Sequence, residues 1–213
     1  AEATEHFIET THDLYAKKCG KRMGKSIQGI FTDEPYRGAL MTGFSVPNRD
    51  PLMLTPYTDS LFDDFKKAYG YDLKDFLPDL FLRRDGKYYA KVKWQYTELL
   101  TELFIKNFMK PYRNWCKDHG ILFTGHMLHE DRLSYPVSTN GSVMRCYEHM
   151  DVPGVDVLCN NNNSYCIVKQ LSSAARQLGQ KMLMSELNGC TGWQMRFSDY
   201  KNIGDWQAIM GIN

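Results

Sequence analysis

No stretch of this 213-residue chain approaches the roughly 20 apolar residues that a membrane-spanning helix needs. Nor is there an excess of either charge. Lys and Arg number 26 against 25 Asp and Glu, so nothing in the balance calls for nucleic acid or an anionic surface as partner. None of the six cysteines forms a CxxC pair, which argues against a zinc ribbon. Buried free thiols are the plain reading for most of them, with Cys159 and Cys166 the pair to consider for a bridge in an oxidising compartment. The glycine-rich phosphate loop of dinucleotide-binding folds is missing as well. So are internal repeats and low-complexity tracts, apart from the short run 160–163. The first twenty residues read as an amphipathic helix without the apolar core of a signal peptide.

What is present is a folding composition and an alternating pattern. Hydrophobic residues make up 43% and aromatics 13%, enough for a sizeable core. Such aromatics suit carbohydrate sites, but they fill cores equally well. Residues 4–19 predict a helix. Residues 26–32 form a short apolar strand, and 35–58, rich in Pro and Gly, a long excursion of the kind that is usually functional. Short helices follow over 60–69, stopped by Gly70, and over 73–82. A long helix runs over 87–117, and the next strand covers 121–124. Residues 143–150 are helix-like, 155–158 a strand, 167–178 a helix, 181–184 a strand and 199–210 a helix. The closing "GIN" reads as the start of another strand.

Four β-then-α units with brief, continuously apolar strands imply a parallel sheet covered on both faces. The four strands are expected as parallel neighbours in chain order. Three of the strands run straight into polar clusters: "GIFTDEPYRG" (29–38), "GHMLHED" (125–131) and "SELNG" (185–189). In a (β/α)₈ TIM-type barrel the catalytic groups sit at these C-terminal strand ends. Eight units need about 250 residues, so the whole chain, 1–213, is read as a partial barrel domain carrying about half of the strands. That leaves sheet edges to be covered by the remainder of the barrel or by self-association.

Paired carboxylates at separate strand tips are the equipment of glycoside hydrolysis. One protonates the leaving oxygen; the other attacks the sugar or activates water. Glu34 and Glu186 fit that arrangement, with Glu130 a third candidate. Caps and ion pairs account for many single carboxylates, but three at successive tips favour chemistry. Asp33 is read as a supporting acid, and His126 and His129 as neutral imidazoles binding hydroxyls. Their spacing matches no zinc pattern. Asn188 is a further candidate for substrate binding. Trp193, just beyond Glu186, is placed to stack on a sugar ring, with a core tryptophan the competing reading. An aldolase would want a lysine at a strand tip, and none of these tips carries one.

The blocks "GIFTDEP", "YGYDLKDFLPDLF", "GILFTGHMLHED", "DVPGVDVL" and "SELNGCTGWQMRFSDYKNIGDWQAIMGIN" together resemble glycoside hydrolase family 106, the α-L-rhamnosidases. The last two are the most specific, and the resemblance covers nearly the whole chain. It implies the C-terminal half of a (β/α)₈ catalytic barrel in a large multidomain enzyme, acting by inversion on terminal rhamnose of polysaccharides or glycosides. Glu34 and Glu186 are then acid and base, in an order left open, with Glu130 as alternate. It also implies calcium as cofactor and a periplasmic or extracellular location. The placing of acids on the first and fourth strands also matches retaining barrel glycosidases. A non-catalytic carbohydrate-binding fragment of a larger glycosidase is the alternative.

Overall fold

A computed structural model describes residues 1–38, 55–81, 91–159, 161–162 and 164–213. Its centre is a four-stranded sheet of β1 (Gly29–Thr32), β2 (Leu122–Gly125), β3 (Val152–Asp156) and β4 (Met184–Glu186). The strands are all parallel and lie in the order β1-β2-β3-β4, as the apolar runs predict. Sequential parallel order is what one arc of a (β/α)₈ barrel gives, and the class is α/β.

The strands are short, and the reason is visible in their ladders. β1 pairs with β2 along its full length, Gly29 with Leu122 through Thr32 with Gly125. β3 divides itself: Val152 and Pro153 face β2, while Gly154, Val155 and Asp156 face β4. This corrects the expected strand over 155–158. Pro153 and Gly154 read as breakers, yet Pro153 sits where the ladder to β2 ends, so its missing N–H costs little. The fourth strand is likewise later than expected. Residues 181–183 lie outside it, and the side chain of Asn213 satisfies them instead, accepting from the Leu183 amide at 2.9 Å and donating to the Lys181 carbonyl at 2.7 Å. Asn213 thereby holds the segment that leads into β4.

Helices cover the sheet. The first segment is α1 (Glu2–Phe7), a wide π-helical turn (Ile8–His12) and α2 (Asp13–Cys19). It is tied to the sheet layer by Ile8 in the core and by Trp115 Nε1 donating to Asp13 at 2.7 Å. Between β1 and β2 run α3 (Leu61–Tyr69), a 3₁₀ turn (Leu73–Phe76), α4 (Leu77–Phe81), α5 (Lys91–Phe104), a second π-helical turn (Ile105–Met109) and α6 (Lys110–Asp118). Gly70 stops α3 as expected, at φ 81. The expected helix start at 87 and the middle of the 35–58 excursion lie outside the described residues. After β2 come α7 (Tyr135–Thr139) and α8 (Val143–Tyr147), after β3 comes α9 (Tyr165–Leu178), and after β4 comes α10 (Phe197–Met210).

Two apolar clusters result. The larger joins Phe123 and Val155 of the sheet to Met109, Tyr112 and Cys116 below β2, and to Ile167, Val168 and Leu171 of α9. The smaller is helical, built on Phe65, Leu73, Leu80 and Tyr96. That helical cluster, rather than open loop, occupies much of the connection from β1 to β2. None of the helices is long and apolar enough to cross a membrane, among the described residues.

Candidate active site

Each of the four strands ends on a polar group, and four of these ends meet. β1 delivers Asp33 and Glu34, β2 delivers His126, β3 ends on Asp156 and β4 on Glu186. His126 is at the centre. Its Nε2 lies 2.8 Å from Glu186 Oε2 and 3.4 Å from Asp33 Oδ1. Ligand atoms of Asp33, His126 and Glu186 lie within 4.8 Å of one another, and so do those of Glu34, His126 and Asp156.

The imidazole is wholly buried and held from several sides. Phe31 packs edge-on against its ring, with centroids 5.5 Å apart. Its backbone N–H donates to Thr32 O at 3.3 Å. Gly125, just before it, approaches β1 so closely that a Cβ there would meet Thr32 O at 2.2 Å. Among the described residues His126 Nδ1 has no hydrogen-bond partner, while two carboxylates face Nε2, which is where the ring proton belongs.

Asp156 is the site residue that the sequence reading missed. It was placed inside an expected strand, whereas it is the last residue of β3, in register with Glu186 of β4. In parallel neighbours such partners project to the same side. Desolvation, with Glu186, Glu34 and Asp33 nearby, raises its carboxyl to about 6 against the pull of His126.

Glu130 belongs to the support rather than the rim. It is buried, and its carboxylate accepts from Tyr147 Oη at 2.5 Å, from the Met127 amide at 3.1 Å and from the Asp156 amide at 3.1 Å. Those bonds tie the loop after β2 to α8 and to the tip of β3. Burial pushes Glu130 up to about 7 despite the three donors and His126, and it pushes the Tyr147 hydroxyl well up too.

The other expected residues stand apart from this cluster. His129 is exposed, and its ring meets that of Tyr135 edge-on at 6.3 Å. Asn188 is exposed, two residues past β4, with its carbonyl accepting from Thr191 Oγ1. Trp193 is fully exposed in this chain, on a 3₁₀ turn (Gly192–Gln194). A pattern joins these loops. The non-glycine residues at positive φ, among the described ones, are Glu34, His129, Cys159, Asn188 and Cys190. All five lie within four residues of the C-terminal end of a strand. Backbone in that sparsely populated region is costly and gathers at functional sites.

The calcium that the sequence resemblance implies can be tested against these donors. Calcium takes oxygen ligands. Asp33, Glu34, Asp156 and Glu186 offer carboxylate oxygens, and Asp156 Oδ1 is buried without a hydrogen-bond partner among the described residues. An orphaned carboxylate oxygen among other carboxylates fits a hard cation. His126 fits less well as a ligand and better as a neighbour.

The chain is an α/β fold whose parallel strands gather carboxylates around one imidazole at their C-terminal tips. No family model and no curated protein sequence matches the chain. Among solved structures it resembles a rhamnosidase from Novosphingobium sp. PP1Y, with a TM-score of 0.72 and 18% identity over 99% of its own length. The chain spans 19% of that protein's length.

Proposed function

We propose that this chain is the C-terminal half of a (β/α)₈ catalytic barrel in a larger glycoside hydrolase, and that the enzyme is an α-L-rhamnosidase. The observation that carries the reading is the meeting of strand-tip carboxylates from β1, β3 and β4 on one buried imidazole. The fold likeness to a rhamnosidase supports it, as do the sequence blocks that point to the same activity.

The chemistry follows from the geometry. His126 donates from Nε2 to one oxygen of Glu186, which leaves the other free to take a proton from water. We assign Glu186 the role of base. Glu34, on the opposite strand of the sheet, is the acid that protonates the departing glycosidic oxygen. Asp33 and Asp156 flank the pair and bind sugar hydroxyls. Glu130 keeps the β2 and β3 tips in place. When bound, calcium would supply a hard positive centre for vicinal hydroxyls, with Asp33 and Asp156 as the carboxylates that would hold it. The enzyme works with inversion, outside the cytoplasm, and the remaining strands of the barrel complete the site.

The test is hydrolysis of an aryl α-L-rhamnoside by the intact protein, followed by proton NMR of the first sugar anomer released. Inversion with rhamnose release supports the reading. Retention would overturn the inverting assignment, and no release from rhamnosides would overturn the substrate.

A further inference from the structure

The cysteines near the strand tips take no part in the hydrolytic reading. Cys159 follows β3 and Cys190 follows β4. The structure sets Cys159 not toward Cys166 but against the β4 loop. Its amide donates to the Gly189 carbonyl at 3.1 Å, and its Sγ lies 3.3 Å from the carbonyl oxygen of Cys190. One residue earlier, Leu158 packs on Gly189 so closely that a Cβ there would meet Leu158 Cδ2 at 2.8 Å. Residues 158–159 and 189–190 therefore run side by side. Both cysteines hold left-handed backbone, at φ 59 and 55. Both thiols are free, Cys159 partly buried and Cys190 exposed. Cys166 instead lines a groove on α9 with Tyr165, Lys169 and Gln170.

We propose that Cys159 and Cys190 are a redox pair whose disulfide locks the loop after β3 to the loop after β4. A disulfide needs Cα atoms about 4.4–6.8 Å apart. A sulfur 3.3 Å from its partner's carbonyl oxygen sets the two cysteines side by side across the loops after β3 and β4. The oxidant is a small-molecule disulfide such as oxidised glutathione. The exposed Cys190, as thiolate, attacks one glutathione sulfur and expels the first glutathione thiolate. Cys159, as thiolate, then attacks the Cys190 sulfur of the mixed disulfide and expels the second. Each cysteine loses one proton, and two electrons pass to the glutathione. The locked loop follows Glu186 directly and carries Asn188, so oxidation fixes the segment that leaves the β4 tip. This inference does not depend on which sugar, if any, the site hydrolyses.

The experiment equilibrates the intact protein in oxidised and in reduced glutathione, alkylates free thiols, and maps peptides by mass spectrometry without reduction. In the oxidised sample the Cys159 and Cys190 peptides are expected joined, two hydrogens lighter than their sum, and separable by dithiothreitol. Cys190→Ser is expected to abolish the joined species and leave Cys159 alkylated or glutathionylated. Full alkylation of both cysteines in oxidised glutathione, or a Cys159–Cys166 link, would overturn the proposal.

Discussion

His126 Nε2 lies 2.8 Å from Glu186 Oε2, joining the tip of the second strand to the tip of the fourth across the end of the third. Three strands are thus held by one polar contact and one backbone register. His126→Ala should leave Glu186 without its fixed orientation, lowering kcat by about 10²-fold with a smaller effect on KM. Steady-state kinetics on an aryl rhamnoside checks this; an unchanged kcat would separate the imidazole from the chemistry.

Gly125 is fixed by what lies beside it. A Cβ would fall 2.2 Å from Thr32 O and 2.5 Å from Thr32 Oγ1, at a backbone φ of 151°. Gly125→Ala should therefore push β1 from β2 and destabilise the fold by about 2–4 kcal/mol. Urea denaturation read by circular dichroism measures it.

Glu130 makes stability depend on pH. Its folded value, about 7, stands above its ordinary 4.5 because burial penalises the charged form. The folded state thus binds this proton more tightly than the unfolded chain does. The contribution is fully present below about pH 4.5 and is lost as pH rises through about 7, amounting to at most ~3 kcal/mol. Glu130→Gln should flatten the fall in urea midpoint between pH 5 and 8. An unchanged slope would show that Glu130 titrates alike in both states.

Trp193 has no packing to lose, being fully exposed. Trp193→Ala should leave the melting temperature unchanged while raising KM by roughly 2- to 10-fold, the worth of one aromatic contact. A drop in stability would mean that the ring is covered in the intact protein by something other than sugar.

The free edges of β1 and β4 make another expectation. Among the described residues neither has a second strand neighbour, and Phe197, Ile209 and Leu133 are largely exposed. The 213-residue piece alone should self-associate or precipitate. Light scattering that shows a stable monomer at high concentration would contradict this.

The parallel order of the strands was legible because each apolar run is short, continuous and separated from the next by helical periodicity. Glu34, His126 and Glu186 were legible because each follows such a run directly. Asp156 was not, since Pro153 and Gly154 disguise the start of β3 and shift its apparent end past the acid. Glu130 looked like a rim acid because one-dimensional spacing carries no depth. Only the packing of Tyr147 and the β3 tip around it shows that its carboxylate is spent on support. Trp193 could be read two ways from its neighbours, and the structure adds that it is exposed in this chain. The contact of Cys159 with the β4 loop spans two strands, a distance that spacing along the chain cannot report.

Glu34 and Glu186 follow the two edge strands at the same end of the parallel sheet, and we propose them as acid and base on a glycoside. Kinetics of Glu186→Gln in the intact protein test this most directly, because the change removes a proton acceptor and keeps the side chain's shape. The account predicts a fall in kcat of about 10³-fold or more at nearly constant KM. A variant that turns over an aryl α-L-rhamnoside within twofold of the wild-type rate would contradict it.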